Sequence, residues 1–307
     1  MTSSLIDSTW LWVPMVLFAA LAQTARNAAQ RSLTQAIGTL PATLVRFLYG
    51  LPFALLWLGL LYLLTPRALP HFSLAYFGWI ALGALFQVGG TAMLLLAMKE
   101  RNFAVAVTLS KTEVLQVALF ATVFLHELPT SLALVAMVVA TLGVLILSLP
   151  SRDRRWSLSA WFSRSALYGL ASGASFAIAA VGFRGGALAL GESVPWINGA
   201  WGVVLAQTLQ SLVLGGWVAW RHPEGLAPVW RAWRVSLIAG SMGAAASMAW
   251  FSAYAMQGAA QVRTLGMVEV VFSYLVSRRV LREPLSWPEK IGMLLMALGL
   301  VLVTLEY

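Results

Sequence analysis

Apolar runs of about twenty residues, cut by short clusters of charged and turn-forming residues, follow one another along the chain. A helix that crosses a bilayer needs about 20 mainly apolar residues. The runs divide into ten such helices, near residues 10–30, 42–64, 73–98, 103–125, 131–149, 165–184, 195–219, 235–255, 259–277 and 288–306. The longest polar interruption, SRDRRWSLSAWFSR at 151–164, falls at the middle of the chain. It predicts two five-helix halves, residues 1–150 and 165–307, joined by a basic connector at 151–164.

Composition agrees with the pattern. Of 307 residues, 60% are hydrophobic and only 10% charged, against about a quarter charged in a soluble domain, and the mean hydropathy is +0.81. The chain is read as an integral, all-α polytopic membrane protein. No cysteine occurs, which excludes disulfides, thiolate nucleophiles and cysteine metal sites. His71, His126 and His222 stand far apart, each at the end of an apolar run, so neither a metal site nor any cofactor is expected. A net charge of +9 reports orientation first in such a chain, and no nucleic-acid partner is expected. MTSSLIDSTW at the N-terminus lacks the positive region of a signal peptide, which predicts a retained first helix.

The two halves share a sequence. A shift of 156 places TLSKTEV (108–114) on TLGMVEV (264–270), matching Thr108, Leu109, Glu113 and Val114 with Thr264, Leu265, Glu269 and Val270. The same ungapped register pairs Glu127 with Glu283 and Gly143 with Gly299. Halves with an odd number of spans must lie upside down relative to one another, the inverted-repeat plan of many secondary transporters. Fourteen of the 20 Lys and Arg, among them Lys99, Arg152, Arg221, Arg231 and Arg278, fall on one face of this arrangement. The positive-inside rule makes that face cytoplasmic and puts both termini outside.

Charges inside the spans carry the candidate chemistry, because a charged side chain at the bilayer centre costs about 2.5–3.5 kcal/mol and so needs a wet cavity or a partner. Glu113 and Glu269 are both central to their spans and repeat-related. Lys111 and Arg263 are the accompanying bases and occupy non-equivalent positions. At about 100° per residue, Lys111 and Glu113 are predicted to point about 160° apart on one helix, which excludes a simple intrahelical pair. In the first span Gln23, Asn27 and Gln30 share one face beside Arg26, and that face is expected to line a cavity. Gln87, Trp250 and Tyr254 are lesser cavity candidates. The within-span charges leave a surplus of two positives, which favours an anionic ligand if all face one cavity; the alternative is an interlocked ion-pair network.

Several other features have structural readings. Ser286 followed by Glu289 reads as a capping box for the last helix, with Thr130 at the matching place in the first half. Glu127 and Glu283 then read as helix-end and interface residues. Gly169, Gly173, Gly182 and Gly186 are spaced for close helix packing.

Four phrases, LPATLVRFLYG (40–50), LLLAMKERNFAVAVTL (94–109), HELPTSLALVAMVVATLGVLIL (126–147) and REPLSWPEKIGMLLMALGLVLV (282–303), give the whole chain a resemblance to the EamA-type branch of the drug/metabolite transporter superfamily. The resemblance implies ten helices around a central cavity, alternating access and cytoplasmic termini, the last at odds with the charge distribution. It also matches Arg46 to a family position, open between a structural and a cavity role. The function expected is secondary transport of small metabolites, amino acids or related organic ions, with protons as a coupling ion at Glu113 or Glu269, in the bacterial inner (plasma) membrane among its lipids. No Walker A pattern occurs, which disfavours an ATP-driven pump. A membrane-embedded enzyme on a lipid-linked substrate is the alternative, disfavoured because the acids lie at the midplane.

Overall fold

The computed structural model describes residues 10–66, 68–100, 110–111, 113–147, 164–192, 194–281 and 287–305. All regular structure among them is helical. The first half contains α1 (Trp12–Ile37), α2 (Thr39–Leu48), α3 (Leu51–Leu64), α4 (Leu74–Glu100), α5 (Glu113–Leu125) and α6 (Ser131–Leu147). The second contains α7 (Arg164–Leu190), α8 (Pro195–Arg221), a short α9 (Leu226–Arg231), α10 (Trp233–Met256), α11 (Ala259–Leu265), α12 (Val268–Leu281) and α13 (Trp287–Thr304). Among the described residues six helical stretches are long and apolar enough to cross a membrane: 39–64, 74–100, 167–190, 195–221, 233–256 and 259–276. Two shorter apolar helices lie at 113–125 and 131–143.

Local chemistry explains the interruptions. α1 stops at Gly38, whose φ of 88° is open to glycine at little cost. Pro52 separates α2 from α3, since its ring excludes the preceding turn's carbonyl and it has no N–H to donate. Thr130 caps α6 by accepting from the Ala133 N–H at 3.1 Å, as its place in the sequence predicts. The Ser286 and Glu283 readings lie outside the described residues, as does the connector apart from Arg164.

The bundle is inverted relative to a soluble protein. Large apolar side chains such as Leu56, Leu63, Leu119, Phe124, Leu212 and Leu294 are exposed around its outside, while Gln23, Arg26, Asn27, Arg46, Lys111, Glu113, Arg263 and Glu269 are buried within. Lipid is the solvent that such a surface suits. Trp220 and Trp233 add an exposed aromatic border, with the Arg221 guanidinium 4.2 Å from the Trp220 ring and that of Arg234 5.4 Å from the Trp233 ring.

The halves pack reciprocally. α1 lies against α10 and α4 against α7, two contacts that the repeat exchanges, and α6 lies against its counterpart α13. Small residues set the spacing. A Cβ on Gly182 of α7 would stand 2.8 Å from the Gly83 backbone nitrogen of α4, so both backbones meet there. In α13, Gly299 is seated equally closely on Ala140 of α6. The halves are also tied at the end of the bundle opposite the basic face. His126, at φ 56°, ends α5 in a left-handed cap that directs the Glu127 N–H to the Ala121 carbonyl at 3.2 Å. The Glu127 carboxylate then accepts from Arg184 Nε at 2.6 Å and from the Ala259 N–H at 3.4 Å, while Arg184 Nη1 donates to the Tyr254 carbonyl at 2.6 Å. The helix-end and interface role read for Glu127 is the one found.

Gly182→Ala is expected to separate α4 from α7 and to destabilise the fold by about 1–3 kcal/mol. Gly59→Ala, where a Cβ meets nothing within 4 Å, is the control. Thermal unfolding of the detergent-solubilised chain checks both.

Candidate functional site

Both central glutamates sit where a helix begins. Glu113 is the first residue of α5 and Glu269 the second of α12. In the second repeat the chain breaks at Gly266 and Met267, and there the Val270 N–H reaches back three residues to the Met267 carbonyl at 2.9 Å. In the first, at positions 156 earlier, the Val114 N–H reaches the Lys111 carbonyl at 3.4 Å. The two acids are therefore in the first turns of discontinuous helices, where free N–H groups and the helix dipole favour negative charge. Continuous helices were expected at both places. The repeat signal located the acids, but the breaks carry no proline to announce them.

The breaks also overturn the predicted separation of Lys111 from Glu113. Lys111 lies in the turn before α5, so the helical rotation does not apply, and its Nζ is 3.6 Å from Glu113 Oε1. Its closer ion pair is with Glu269 of the other repeat. Arg263, on α11, pairs with the Glu113 carboxylate. Two acids and two bases thus neutralise one another across the repeats.

α1 completes this cluster. Gln23 Nε2 donates to Glu269 Oε2 at 2.6 Å and Asn27 Nδ2 to Oε1 at 2.7 Å, so both carboxylate oxygens are held. Trp250 donates its indole N–H to Gln23 Oε1 at 3.0 Å. The Arg263 guanidinium stacks 4.8 Å above the Trp250 ring, and the Tyr254 ring stacks with Trp250 at 6.3 Å between centroids. Asn27 Oδ1 in turn accepts from Arg26 Nε at 3.2 Å and Nη2 at 2.6 Å. Gln30, expected on the same cavity face, turns instead to the Ala42 carbonyl at 2.9 Å and braces α2.

A narrow central cavity of about 20 Å³ adjoins the cluster, the room of a single water. Gln23, Arg46, Gln87, Trp250, Tyr254 and Arg263 line it, together with Phe176, Phe183 and Phe251. Arg26, Asn27, Lys111, Glu113 and Glu269 stand behind these lining residues. Arg46 donates to Thr91 Oγ1 at 2.6 Å, and Gln87 Oε1 accepts from Gln210 at 2.8 Å. Sequence reasoning missed Thr91, Gln210 and the phenylalanines. A glutamine inside the apolar α8 was a usable signal, whereas the phenylalanines look like any lipid-facing aromatics. A second, open cavity of about 470 Å³ lies on the basic face, lined by Arg31, Thr34, Gln35, Leu95, Met98, Lys99 and Glu100. From Gln23 to Thr34 along α1 is about 16 Å at 1.5 Å per residue, so α1 and α4 run from this vestibule to the central cavity.

A lipid-facing helical bundle with a neutralised charge cluster and a cavity at its centre belongs among the polytopic membrane transporters. The chain is a member of the EamA-like transporter family, whose model matches residues 10–149 and again 163–305. The two matches end 156 residues apart, the register of the internal repeat. A solved structure described only as "Crystal structure of protein" is similar at a TM-score of 0.70 and 18% identity over 96% of each chain, a likeness of fold. No curated protein matches the chain.

Removing one member of a buried ion pair leaves the other uncompensated, at about 3–5 kcal/mol. Lys111→Met and Glu269→Gln are each expected to destabilise by that order, and the double variant by less than their sum. A double-mutant cycle on unfolding in detergent measures the coupling.

Proposed function

We propose that this chain is a secondary active transporter for small metabolites, amino acids or related organic ions, working by alternating access. Its ten spans form two inverted five-helix repeats, 1–150 and 165–307, joined by the basic connector 151–164. It resides in a bacterial inner membrane, with the basic face cytoplasmic. The observation that carries the reading is the cluster of Lys111, Glu113, Arg263 and Glu269, contributed by both repeats and buried at the centre. A vestibule opens toward it on one face, while Glu127 and Arg184 tie the opposite end. Rocking one repeat against the other changes which end is tied, and the cluster at their junction is what such a motion rearranges.

Proton coupling belongs at Glu113. Both oxygens of Glu269 already accept from side-chain donors, whereas Glu113 Oε2 is buried without a partner. A proton can be added to Oε2 without displacing a donor, and a neutral Glu113 releases Arg263.

Uptake by proteoliposomes of radiolabelled amino acids under an imposed pH gradient tests both parts. One coupled proton allows about tenfold accumulation per pH unit. That accumulation is expected in the wild type, with Glu113→Gln still exchanging substrate but no longer following the gradient. Uptake indifferent to the gradient in both proteins sinks the coupling, and no uptake of any member sinks the carrier.

A further inference from the structure

Among the described residues, two of the four buried bases have no acid within ion-pair distance. Lys111 and Arg263 are paired with the glutamates, but Arg26 and Arg46 make no salt bridge. Arg26 is 1% exposed and Arg46 2%. Their hydrogen bonds go to neutral oxygens, Asn27 Oδ1 for Arg26 and Thr91 Oγ1 for Arg46. Arg26 Nη1 and Arg46 Nε are buried with no partner at all. A guanidinium cannot shed its proton at neutral pH in ordinary circumstances, and a buried charge without a counter-charge is among the least favourable arrangements in a protein.

The two side chains come together on Gly243 of α10. A Cβ placed there would stand 3.2 Å from Arg26 Cδ and 3.4 Å from Arg46 Cγ, so the absence of a side chain lets both stems converge. Arg46 borders the central cavity. The cluster's own charges cancel, which leaves the surplus of two positives concentrated at this one place, on α1 and α2 of the first repeat against α10 of the second.

We infer that Arg26 and Arg46 form an anion subsite that receives the carboxylate or phosphate group of the transported substrate, adjoining but separate from the ion-pair cluster. The inference rests on the transporter reading and adds the substrate's charge class and the residues that select it. Planar guanidinium donors suit a carboxylate or phosphate better than a point charge does. The central cavity must widen to admit such a group, which ties binding to the motion between repeats. Thr91 and Asn27 orient the two guanidinium groups and leave Arg46 Nε and Arg26 Nη1 for the ligand.

Ligand-induced thermal stabilisation of the full chain in detergent provides the test, because a ligand that binds only the folded state raises its stability. One arm compares L-leucine and L-glutamate with L-leucinamide and L-glutaminamide, in which every carboxylate is replaced by an amide. The other compares glycerol 3-phosphate and inorganic phosphate with glycerol, all at constant ionic strength. Stabilisation by the members of one arm that carry a carboxylate or phosphate, absent with the counterparts that lack it, is expected, and the arm that responds identifies carboxylate or phosphate. Arg26→Gln and Arg46→Gln are each expected to weaken that binding at least tenfold, with Arg46→Lys intermediate. If the glutamine variants do not fold, Arg26→Lys and Arg46→Lys decide, and weakening of threefold or more is expected. Equal stabilisation by members with and without the carboxylate or phosphate, no stabilisation in either arm, or variants that bind as wild type overturn the subsite. Transport is read separately: uptake of the amides as fast as the acids keeps the carrier and removes the subsite, and anion binding without uptake does the reverse.

Discussion

A carboxylate at the centre of a bilayer is stable only where donors and positive charge surround it, and this protein buries two of them about the junction of its halves. Each takes its closest counter-charge from the other half. Glu269 of the second repeat takes Lys111 from the first, with Gln23 and Asn27 of α1, while Glu113 of the first takes Arg263 from the second. The requirement reaches into the backbone. The chain breaks ahead of α12, and Lys111 stands in a turn ahead of α5, so that each acid meets free N–H groups at a helix start. Association of the repeats and neutralisation of the acids are thus one event.

Close packing makes that event reachable. Lipid offers no hydrophobic drive between helices, so contact surfaces must be won by fit. Gly182 against Gly83 brings α7 onto α4, Gly299 brings α13 onto α6, and Gly243 gives space for two arginine stems where α10 meets α1 and α2. The tie from Glu127 to Arg184, Tyr254 and Ala259 is of a different kind: polar, partly exposed and at the periphery. Such bonds can exchange with water when the halves move.

The site separates into two regions with different electrical states. In the ion-pair cluster the charges cancel, and any change of protonation or ligand must rearrange a closed network. Beside it, Arg26 Nη1 and Arg46 Nε are buried without a hydrogen-bond partner, and neither arginine forms a salt bridge among the described residues. Asn27 links the two regions, since it contacts both Arg26 and Glu269. Coupling between sites in transporters needs a physical link of this kind.

The sequence by itself determined the membrane class, the repeat and the identity of the charged residues, because each leaves a one-dimensional trace. Twenty-residue apolar runs follow from bilayer thickness, the 156-residue register pairs Glu113 with Glu269, and a charge in an apolar run is conspicuous wherever it falls. Polar residues in α1 and the Trp250 and Tyr254 pair were legible for the same reason. Partnership was not. The helical angle put Lys111 opposite Glu113, yet a turn before α5 brings them to 3.6 Å, and Lys111 is held by both acids. Which bases are neutralised depends on distances between segments far apart in the chain, such as Arg263 to Glu113, 150 positions away, and Lys111 to Glu269. No local pattern encodes a distance of that kind. Only the packing of the two repeats decided that Arg26 and Arg46 remain without an acid.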